Sequence, residues 1–459
     1  MATTLISNGT VVTASETRVA DVLIDGERIQ AVAPRLTVAA DRIIDAAGRY
    51  VFPGGIDVHT HLDMPYGDTV SSDDFRTGTI AAAHGGTTAI VDFAVQDRGG
   101  SLRGALDGWR RRADGRAVID YGFHMIVCDF RDAVEREMDA LIAEGVTSFK
   151  FFMAYPDRLM LDDGAIFRAL RRTAHNGGLV TVHAENGAVI DVLVQRARAE
   201  GHTAPRYHAL TRPARTEAEA VYRAIALAEL AGVPIYIVHL SSAEGLQVVR
   251  EARARGVTVL AETCPQYLFL DDTQYAAPGF EGAKYVMSPP LRARDGQAAL
   301  WDGLARHDLH AVATDHCPFT LSQKAAGAGD FSKIPGGAPG IETRMSLMFD
   351  GGVRAGRLSL NRFVEVTATS PAKIFGLWPD RGTIAPGAIA DVVVFDPELE
   401  VRLDATALHM RVDYSPYEGM VVRGGPVVVM ARGEVVVEDG RFVGRPGRGR
   451  FIRRAARSG

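Results

Sequence analysis

The chain has 459 residues, of which 47% are apolar and 23% charged, and its formal net charge is −5. This length suits one large catalytic domain with a smaller second one, and the composition is that of a globular protein. An acidic chain offers no basic field for nucleic acid, and the sequence shows neither a signal-peptide pattern nor an apolar run that could span a membrane. Three scattered cysteines, which suit a reducing compartment, complete the expectation of a cytoplasmic protein.

Both ends of the chain are typical of β structure. Residues 1–52 contain short segments rich in Val and Ile, separated by Asn-Gly and Asp-Gly turn signals, and residues 380–459 return to the same style. Neither end has enough strands to bury a good core alone. The sequence therefore predicts one discontinuous β-sandwich domain formed by residues 1–52 and 380–459, with a basic tail after Gly447.

Residues 53–379 alternate strand and helix patterns. Helical periodicity is clear in RDAVEREMDALIAEG and RTEAEAVYRAIALAELAG, for example. Eight such units predict a (β/α)8 TIM barrel, an α/β fold whose catalytic groups lie at the C-terminal ends of the strands. The eight predicted strands are YVFPGGIDVHTH, TTAIVDFA, VIDYGFHMIV, SFKFFMAY, GLVTVHAE, VPIYIVHLS, VTVLAETC and HAVATDHC.

Candidate metal ligands follow five of these strands, the first, fourth, fifth, sixth and eighth. Residues two apart in a strand point to the same side, so the first pair can chelate one ion. Four histidines and an aspartate suit zinc or a similar metal and outnumber the three protein ligands of one catalytic zinc, which favours two metals. The candidates are His59, His61, Lys150, His183, His239 and Asp315.

Simpler interpretations exist for each candidate. A His-Thr-His sequence at a strand end is often a pair of hydrogen-bonded polar residues, and a single histidine after an apolar strand is more often part of the core. What distinguishes the selected residues is their common position at one edge of the barrel. The remaining nine histidines do not share it and are interpreted as structural: His84, His124, His175, His202, His208, His307, His310, His316 and His409.

Lys150 stands in the apolar run SFKFFMA, where an unpaired ammonium group would be costly to bury. One interpretation is a lysine whose ammonium group reaches the barrel rim. The other is a neutral amine that reacts with carbon dioxide, which produces a carbamate whose carboxylate can bridge two metals.

Several segments, HTHLDMPYGDTVSSDDFRTGTIAAAHGGTT, FKFFMAY, YHALTRP, MSPPLR, ATDHCPF, GAPGIETR and HMRVDYSPYEGM, resemble the amidohydrolase superfamily and, within it, the hydantoinases and dihydropyrimidinases. The resemblance covers nearly the whole chain. It implies two divalent ions per subunit, zinc first and manganese or cobalt as alternatives, bridged by carboxylated Lys150. His59, His61 and Asp315 would complete the site of one ion, and His183 and His239 that of the other.

The resemblance also implies roles in the reaction. A water or hydroxide between the metals would be the nucleophile. Asp315 would take its proton and deliver it to the leaving nitrogen, and the Tyr155 hydroxyl would stabilise the oxyanion. Alone, Asp315 could cap a turn and Tyr155 could anchor a loop.

For the substrate, the resemblance implies that backbone groups of Ser288 and Gly337 bind the ring amide, with Gly337 in place of the asparagine of the relatives. Side chains from the loops after the first and fourth strands would line the space for a ring substituent. These are Met64, Tyr66, Phe152 and Leu159, which could equally be ordinary core residues.

The expected activity is hydrolytic opening of a small cyclic amide: a 5-substituted hydantoin to an N-carbamoyl amino acid, or a 5,6-dihydropyrimidine to a 3-ureido acid. The alternatives are allantoinase, dihydroorotase and a non-catalytic scaffold of the same fold. Asp63 stands where dihydroorotases carry an arginine, so we expect it to repel dihydroorotate. The resemblance further implies a homotetramer with the basic tail at subunit contacts.

Overall fold

The computed structural model describes residues 3–457 of the chain. Its N-terminal part forms five strands, whose Val and Ile side chains enter a buried core. They are β1 (Thr3–Val12), β2 (Thr17–Asp25), β3 (Arg28–Ala33), β4 (Arg42–Asp45) and β5 (Tyr50–Pro53).

Eight parallel strands follow and form the barrel. Almost all of their residues are buried, as expected for strands that are covered on both faces. In chain order they are β6 (Gly55–Thr60), β9 (Thr87–Val95), β10 (Asp120–Ile126), β11 (Ser148–Phe152), β12 (Leu179–His183), β13 (Ile235–Ile237), β14 (Val259–Thr263) and β15 (Ala311–Val312), with the hairpin β7 (Pro65–Tyr66) and β8 (Thr69–Val70) inserted after β6.

Helices connect these strands and cover the barrel. The described helices are α1 (Thr77–His84), α2 (Leu102–Ala113), α3 (Asp132–Ala143), α4 (Asp163–Asn176), α5 (Gly187–Ala199), α6 (Arg206–Leu210), α7 (Ala214–Ala231), α8 (Ala243–Ala254), α9 (Pro265–Phe269), α10 (Gln297–Ala305), α11 (Leu321–Ala325), α12 (Arg344–Met348), α13 (Leu360–Val364) and α14 (Ser370–Ile374). Within residues 3–457, none of them is both long enough and apolar enough to cross a membrane.

The C-terminal strands are β16 (Val392–Arg402), β17 (Val421–Ala431), β18 (Glu434–Glu438) and β19 (Arg441–Phe442). They join the N-terminal strands through the pair β16·β5, so both ends of the chain share one nine-stranded mixed sheet with its own core. The barrel and the separate terminal domain are therefore confirmed. The terminal strands form one continuous hydrogen-bonded sheet, because β5 pairs with both β1 and β16.

The predicted first strand, YVFPGGIDVHTH, is divided between the two sheets. Its first part is β5 in the terminal sheet, and β6 begins at Gly55 in the barrel. The division into residues 1–52 plus 380–459 and 53–379 stays a prediction.

The barrel closes between its first and last strands. Thr60 forms a parallel bridge with His316, and the His61 amide donates to the His316 carbonyl at 2.8 Å. The buried Asp57 carboxylate accepts from the Thr314 amide at 3.1 Å and from its hydroxyl at 2.6 Å. This seam places the end of β6 beside the residues that follow β15.

The basic segment after Gly447 is not a projecting tail in its described part. It runs along the N-terminal ends of the barrel strands, where the Tyr121 amide donates to the Arg450 carbonyl at 3.0 Å and the Ile452 amide to the Tyr121 carbonyl at 2.8 Å. The buried Arg454 guanidinium donates to the Ser148 hydroxyl at 2.9 Å. These bonds hold the segment against the barrel of its own chain.

Removal of residues 448–459 is expected to lower the free energy of unfolding by at least about 3 kcal/mol, because several buried hydrogen bonds worth about 1 kcal/mol each disappear. Thermal unfolding should show a clearly lower midpoint. Arg445→Ala is the matched control, since Arg445 contributes only an exposed ion pair with Glu434 at 3.0 Å. Equal midpoints for the truncated and full-length chains would contradict the prediction.

Candidate active site

The first group of ligand atoms forms at the barrel seam. His59 lies in β6, His61 follows β6, and Asp315 follows β15. The Asp315 Oδ1 atom is 3.1 Å from the Nε2 atoms of both histidines. On its other side, His59 Nδ1 lies 2.5 Å from Glu262 Oε1, which orients the ring with Nε2 toward Asp315.

A second group lies at the ends of the neighbouring strands. His183 ends β12, and His239 comes two residues after β13. The two rings meet with His183 Nδ1 2.9 Å from His239 Nε2, and His183 Nε2 lies 2.9 Å from Glu185 Oε2. Burial lowers the pKa of His183 and lowers the pKa of His239 well below its usual range. Both rings are thus held in the neutral form that binds metal.

Lys150 projects from β11 into the same space. Its side chain is only 1% exposed, and its Nζ atom lies 4.7 Å from the ring centre of Phe93 and 5.0 Å from that of Phe152. Within residues 3–457, no carboxylate comes within 4 Å of it. Burial lowers the pKa of Lys150 to about 8. A lysine at the solvent-exposed rim does not fit these facts, whereas a reactive amine does.

The burial and spacing of the candidate ligand atoms show that they could hold a metal ion. The His59 Nε2 atom is buried and makes no hydrogen bond within the part of the chain that the structure describes, although Asp315 Oδ1 lies 3.1 Å away. A buried polar atom without a hydrogen bond is costly, and a metal between His59 and Asp315 would satisfy it. Ligand atoms of His59, His61 and Asp315 all lie within 4.8 Å of one another, which is close enough to share one ion.

Two of the ligand residues, and Tyr155 in the loop after β11, have an unusual backbone conformation. The φ angles of His239, Asp315 and Tyr155 are 38°, 52° and 65°, which non-glycine residues rarely adopt. Such strain persists where the surrounding structure requires it and is frequent at functional sites.

A cleft with an internal volume of about 120 Å³ opens above the ligand groups. Burial raises the pKa of Tyr155, so its hydroxyl stays protonated and can donate a hydrogen bond. The structure brings all the sequence-predicted site residues to the wall of this cleft: His59, His61, Met64, Tyr66, Lys150, Phe152, Tyr155, Leu159, His183, His239, Ser288, Asp315 and Gly337.

The cleft wall contains two adjacent glycines with different surroundings. At Gly337, whose φ is +151°, a Cβ atom would lie 2.2 Å from the Cys317 carbonyl oxygen. At Gly336, a Cβ would meet only the Tyr66 hydroxyl, at 3.9 Å. A side chain therefore has room at Gly336 and not at Gly337, and the role of the Gly337 backbone in binding the ring amide stays a prediction.

Asp63 is not part of the cleft wall, so the structure shows no contact behind the expected repulsion of dihydroorotate, which stays a prediction. Asp63 has left the strand and has a φ of 53°, which turns its side chain toward a different surface depression beside Ser72 and Arg411. Its Oδ2 atom accepts from the Phe75 amide at 3.3 Å.

Sequence reasoning missed the residue that orients His59. Glu262 is buried in β14, and its other oxygen accepts from the Tyr236 hydroxyl at 2.7 Å. A carboxylate inside the apolar run VTVLAETC was the available signal. Met287 and Arg158 were also missed as parts of the cleft wall, because loop residues carry no periodic pattern.

The chain was compared with known proteins and solved structures. Residues 50–436 match the amidohydrolase family. The chain is 53% identical to a D-hydantoinase of Streptomyces coelicolor over 98% of both chains, and 52% identical to a D-hydantoinase of Geobacillus stearothermophilus over 99% of this chain and 97% of the relative.

Among solved structures, the dihydropyrimidinase of Brevibacillus agri superposes with a TM-score of 0.98 at 52% identity, covering 100% of both chains. An L-hydantoinase (dihydropyrimidinase) of Arthrobacter aurescens has a TM-score of 0.91 at 30% identity, covering 99% of this chain and 100% of that one. Full-length similarity of this degree, together with the ligand groups at the strand ends, leads to one conclusion: the chain belongs to the amidohydrolase family.

Proposed function

We propose that the protein is a cyclic amidase that opens the ring of 5-substituted hydantoins, of 5,6-dihydropyrimidines, or of both. The observation that carries this proposal is the cleft itself, whose wall joins two groups of buried metal ligands to a hydroxyl donor and an apolar surface. Full-length similarity to D-hydantoinases and a dihydropyrimidinase supports the substrate class and does not favour allantoinase, dihydroorotase or a scaffold.

The proposed cofactor is a pair of divalent ions, zinc first and manganese or cobalt as alternatives. His59, His61 and Asp315 would hold one ion and His183 and His239 the other, with a carbamate on Lys150 shared between them. When bound, such ions lower the pKa of a water molecule and polarise the ring carbonyl. The neutral imidazoles and the buried, unpaired lysine support this arrangement.

Residues of the chain would then transfer the proton, stabilise the oxyanion and bind the ring. Asp315, which contacts His59 and His61, would accept the proton of the nucleophilic water and transfer it to the departing ring nitrogen. The Tyr155 hydroxyl would donate to the developing oxyanion, and the backbone of Ser288 and Gly337 would bind the ring amide.

A ring substituent would lie against the apolar part of the wall, formed by Met64, Tyr66, Phe152 and Leu159. Cytoplasmic location and a homotetramer are further proposals. Three free, buried cysteines support the first, and only the family resemblance supports the second.

A turnover screen tests the function. Purified protein loaded with zinc, manganese or cobalt would be incubated with dihydrouracil, hydantoin, phenylhydantoin, allantoin and dihydroorotate, and ring opening would be followed by the loss of ultraviolet absorbance and by chromatography of the products. We expect turnover of dihydrouracil or the hydantoins. Preference for allantoin or dihydroorotate, or no turnover by metal-loaded protein, would contradict the proposal.

Elemental analysis is expected to find close to two divalent ions per chain. Chelation should abolish turnover, and zinc, manganese or cobalt should restore it, because the ligand atoms of both groups are buried and are oriented by Glu262 and Glu185 before metal binding. A stoichiometry near one in fully active protein would contradict the two-metal arrangement.

A further inference from the structure

A buried lysine outside the ligand groups connects the walls of the cleft. Lys324 lies in the short helix α11 and is 0% exposed. Its Nζ atom donates to three main-chain carbonyls, those of Val286 at 3.1 Å, Pro335 at 2.9 Å and Gly337 at 2.9 Å. These three acceptors use all the donors that an ammonium group has.

The acceptors belong to two separate parts of the cleft wall. Val286 directly precedes Met287 and Ser288, which line the cleft, and Pro335 directly precedes the lining residues Gly336 and Gly337. The Gly337 amide also donates to the Val286 carbonyl at 2.9 Å. Lys324 and this backbone hydrogen bond therefore connect residues 286–288 to residues 335–337.

The neighbouring residue, Gln323, connects α11 to a third part of the cleft wall. The Nε2 atom of the Gln323 side chain donates to the Thr69 hydroxyl at 2.7 Å and to the Val70 carbonyl at 2.8 Å. Both acceptors lie in β8, whose hairpin partner β7 contributes Pro65 and Tyr66 to the cleft. One short helix is therefore bonded to three segments of the substrate cavity.

Burial of an ammonium group without a carboxylate partner costs more free energy than a purely structural hydrogen bond would require. Within residues 3–457, no carboxylate lies within 4 Å of Lys324, and burial lowers its pKa to about 7. An ammonium group can, however, hold three converging carbonyls at one point, which an apolar side chain cannot do.

We infer that Lys324 is a positioning residue that sets the spacing between the Ser288 segment and the Gly337 segment, and thereby the binding of the substrate ring amide. It acts through the main chain and does not touch the substrate. The inference rests on the proposed function for the identity of the substrate, and its structural part is independent of that function.

Lys324→Met tests the inference, because methionine occupies similar space without donors. The matched control is Lys333→Met in the same loop region. The Lys333 side chain is 69% exposed and makes a weak ion pair with Asp330, at 3.9 Å. We expect Lys324→Met to raise KM for the best cyclic amide by about tenfold or more, with kcat changed much less and metal content unchanged, since the loss affects ring binding equally in ground and transition states.

Hydrogen exchange measured by mass spectrometry gives a readout that needs no substrate. Peptides covering residues 286–288 and 335–337 should exchange faster in Lys324→Met and stay unchanged in Lys333→Met. Lys324→Gln, which keeps two donors, should have an intermediate KM, and it replaces the methionine variant if that protein does not fold. Unaltered KM and exchange, or a smaller active fraction with unaltered KM, would overturn the inference. If the wild type opens no cyclic amide, the proposed function fails while the exchange measurement still tests the contact.

Discussion

Replacement of Lys150 by alanine is expected to abolish turnover and metal binding together. The side chain is buried between the two ligand groups, and in the proposed site its carbamate carries the shared carboxylate. Lys150→Arg should fail as well, because a guanidinium stays protonated and cannot form a carbamate. Activity and metal content would be measured on the same preparations, with Lys373→Ala, a change at an exposed lysine, as the control.

Chemical rescue makes this prediction sharper. Acetate or propionate can enter the space that Lys150→Ala leaves and supply a carboxylate, so part of the activity and metal content should return with either acid. Density beyond the lysine Nζ atom in a metal-loaded crystal would show the carbamate directly. Wild-type turnover and metal content in Lys150→Arg would contradict the carbamate.

Replacement of Asp315 by asparagine is expected to lower kcat by at least about 10³, since a proton acceptor in the reaction contributes about 10² to 10⁴ and a metal ligand is weakened at the same time. Burial raises the pKa of Asp315, but His59 and His61 outweigh this effect and hold the pKa well below its usual range. Asp315 is therefore ionised, and able to accept a proton, throughout the neutral pH range.

Asp68→Asn is the matched control for this prediction, because Asp68 is exposed in the hairpin turn between β7 and β8. Rates should be expressed per metal-loaded site, which separates the loss of proton transfer from the loss of metal. A metal-loaded Asp315→Asn variant with a rate within tenfold of the wild type would show that another group moves the proton.

The ligand positions could be predicted because two simple rules apply to them. Alternation along a strand puts His59 and His61 on one side, and parallel barrel strands bring their C-terminal ends to one face. His183 follows from the same rules because it is the last residue of β12, and Lys150 follows because it lies in β11, two residues before the end of the strand.

Contacts between distant segments, and the direction of a side chain in a loop, are not determined by these rules. Asp63, only two residues after His61, turns away from the cleft because its backbone adopts a positive φ. The role of Glu262 depends on the distance between β14 and β6, which no local pattern encodes. Lys324 lies in a helix of five residues, and its partners are main-chain carbonyls, which every residue possesses. The position of the basic C-terminal segment likewise depends on tertiary contacts, which cannot be predicted from its composition.

The seam of the barrel has a consequence for biosynthesis. The Asp57 carboxylate and the Thr314 amide that it binds are 257 residues apart in the chain, and His59 and Asp315 flank that contact. A ribosome must therefore complete about two thirds of the protein before the full ligand set can exist. In the proposed site, metal loading and carbamate formation would then follow folding of the barrel. We therefore expect the supply of metal and bicarbonate during expression to change the active fraction of the protein and not its yield.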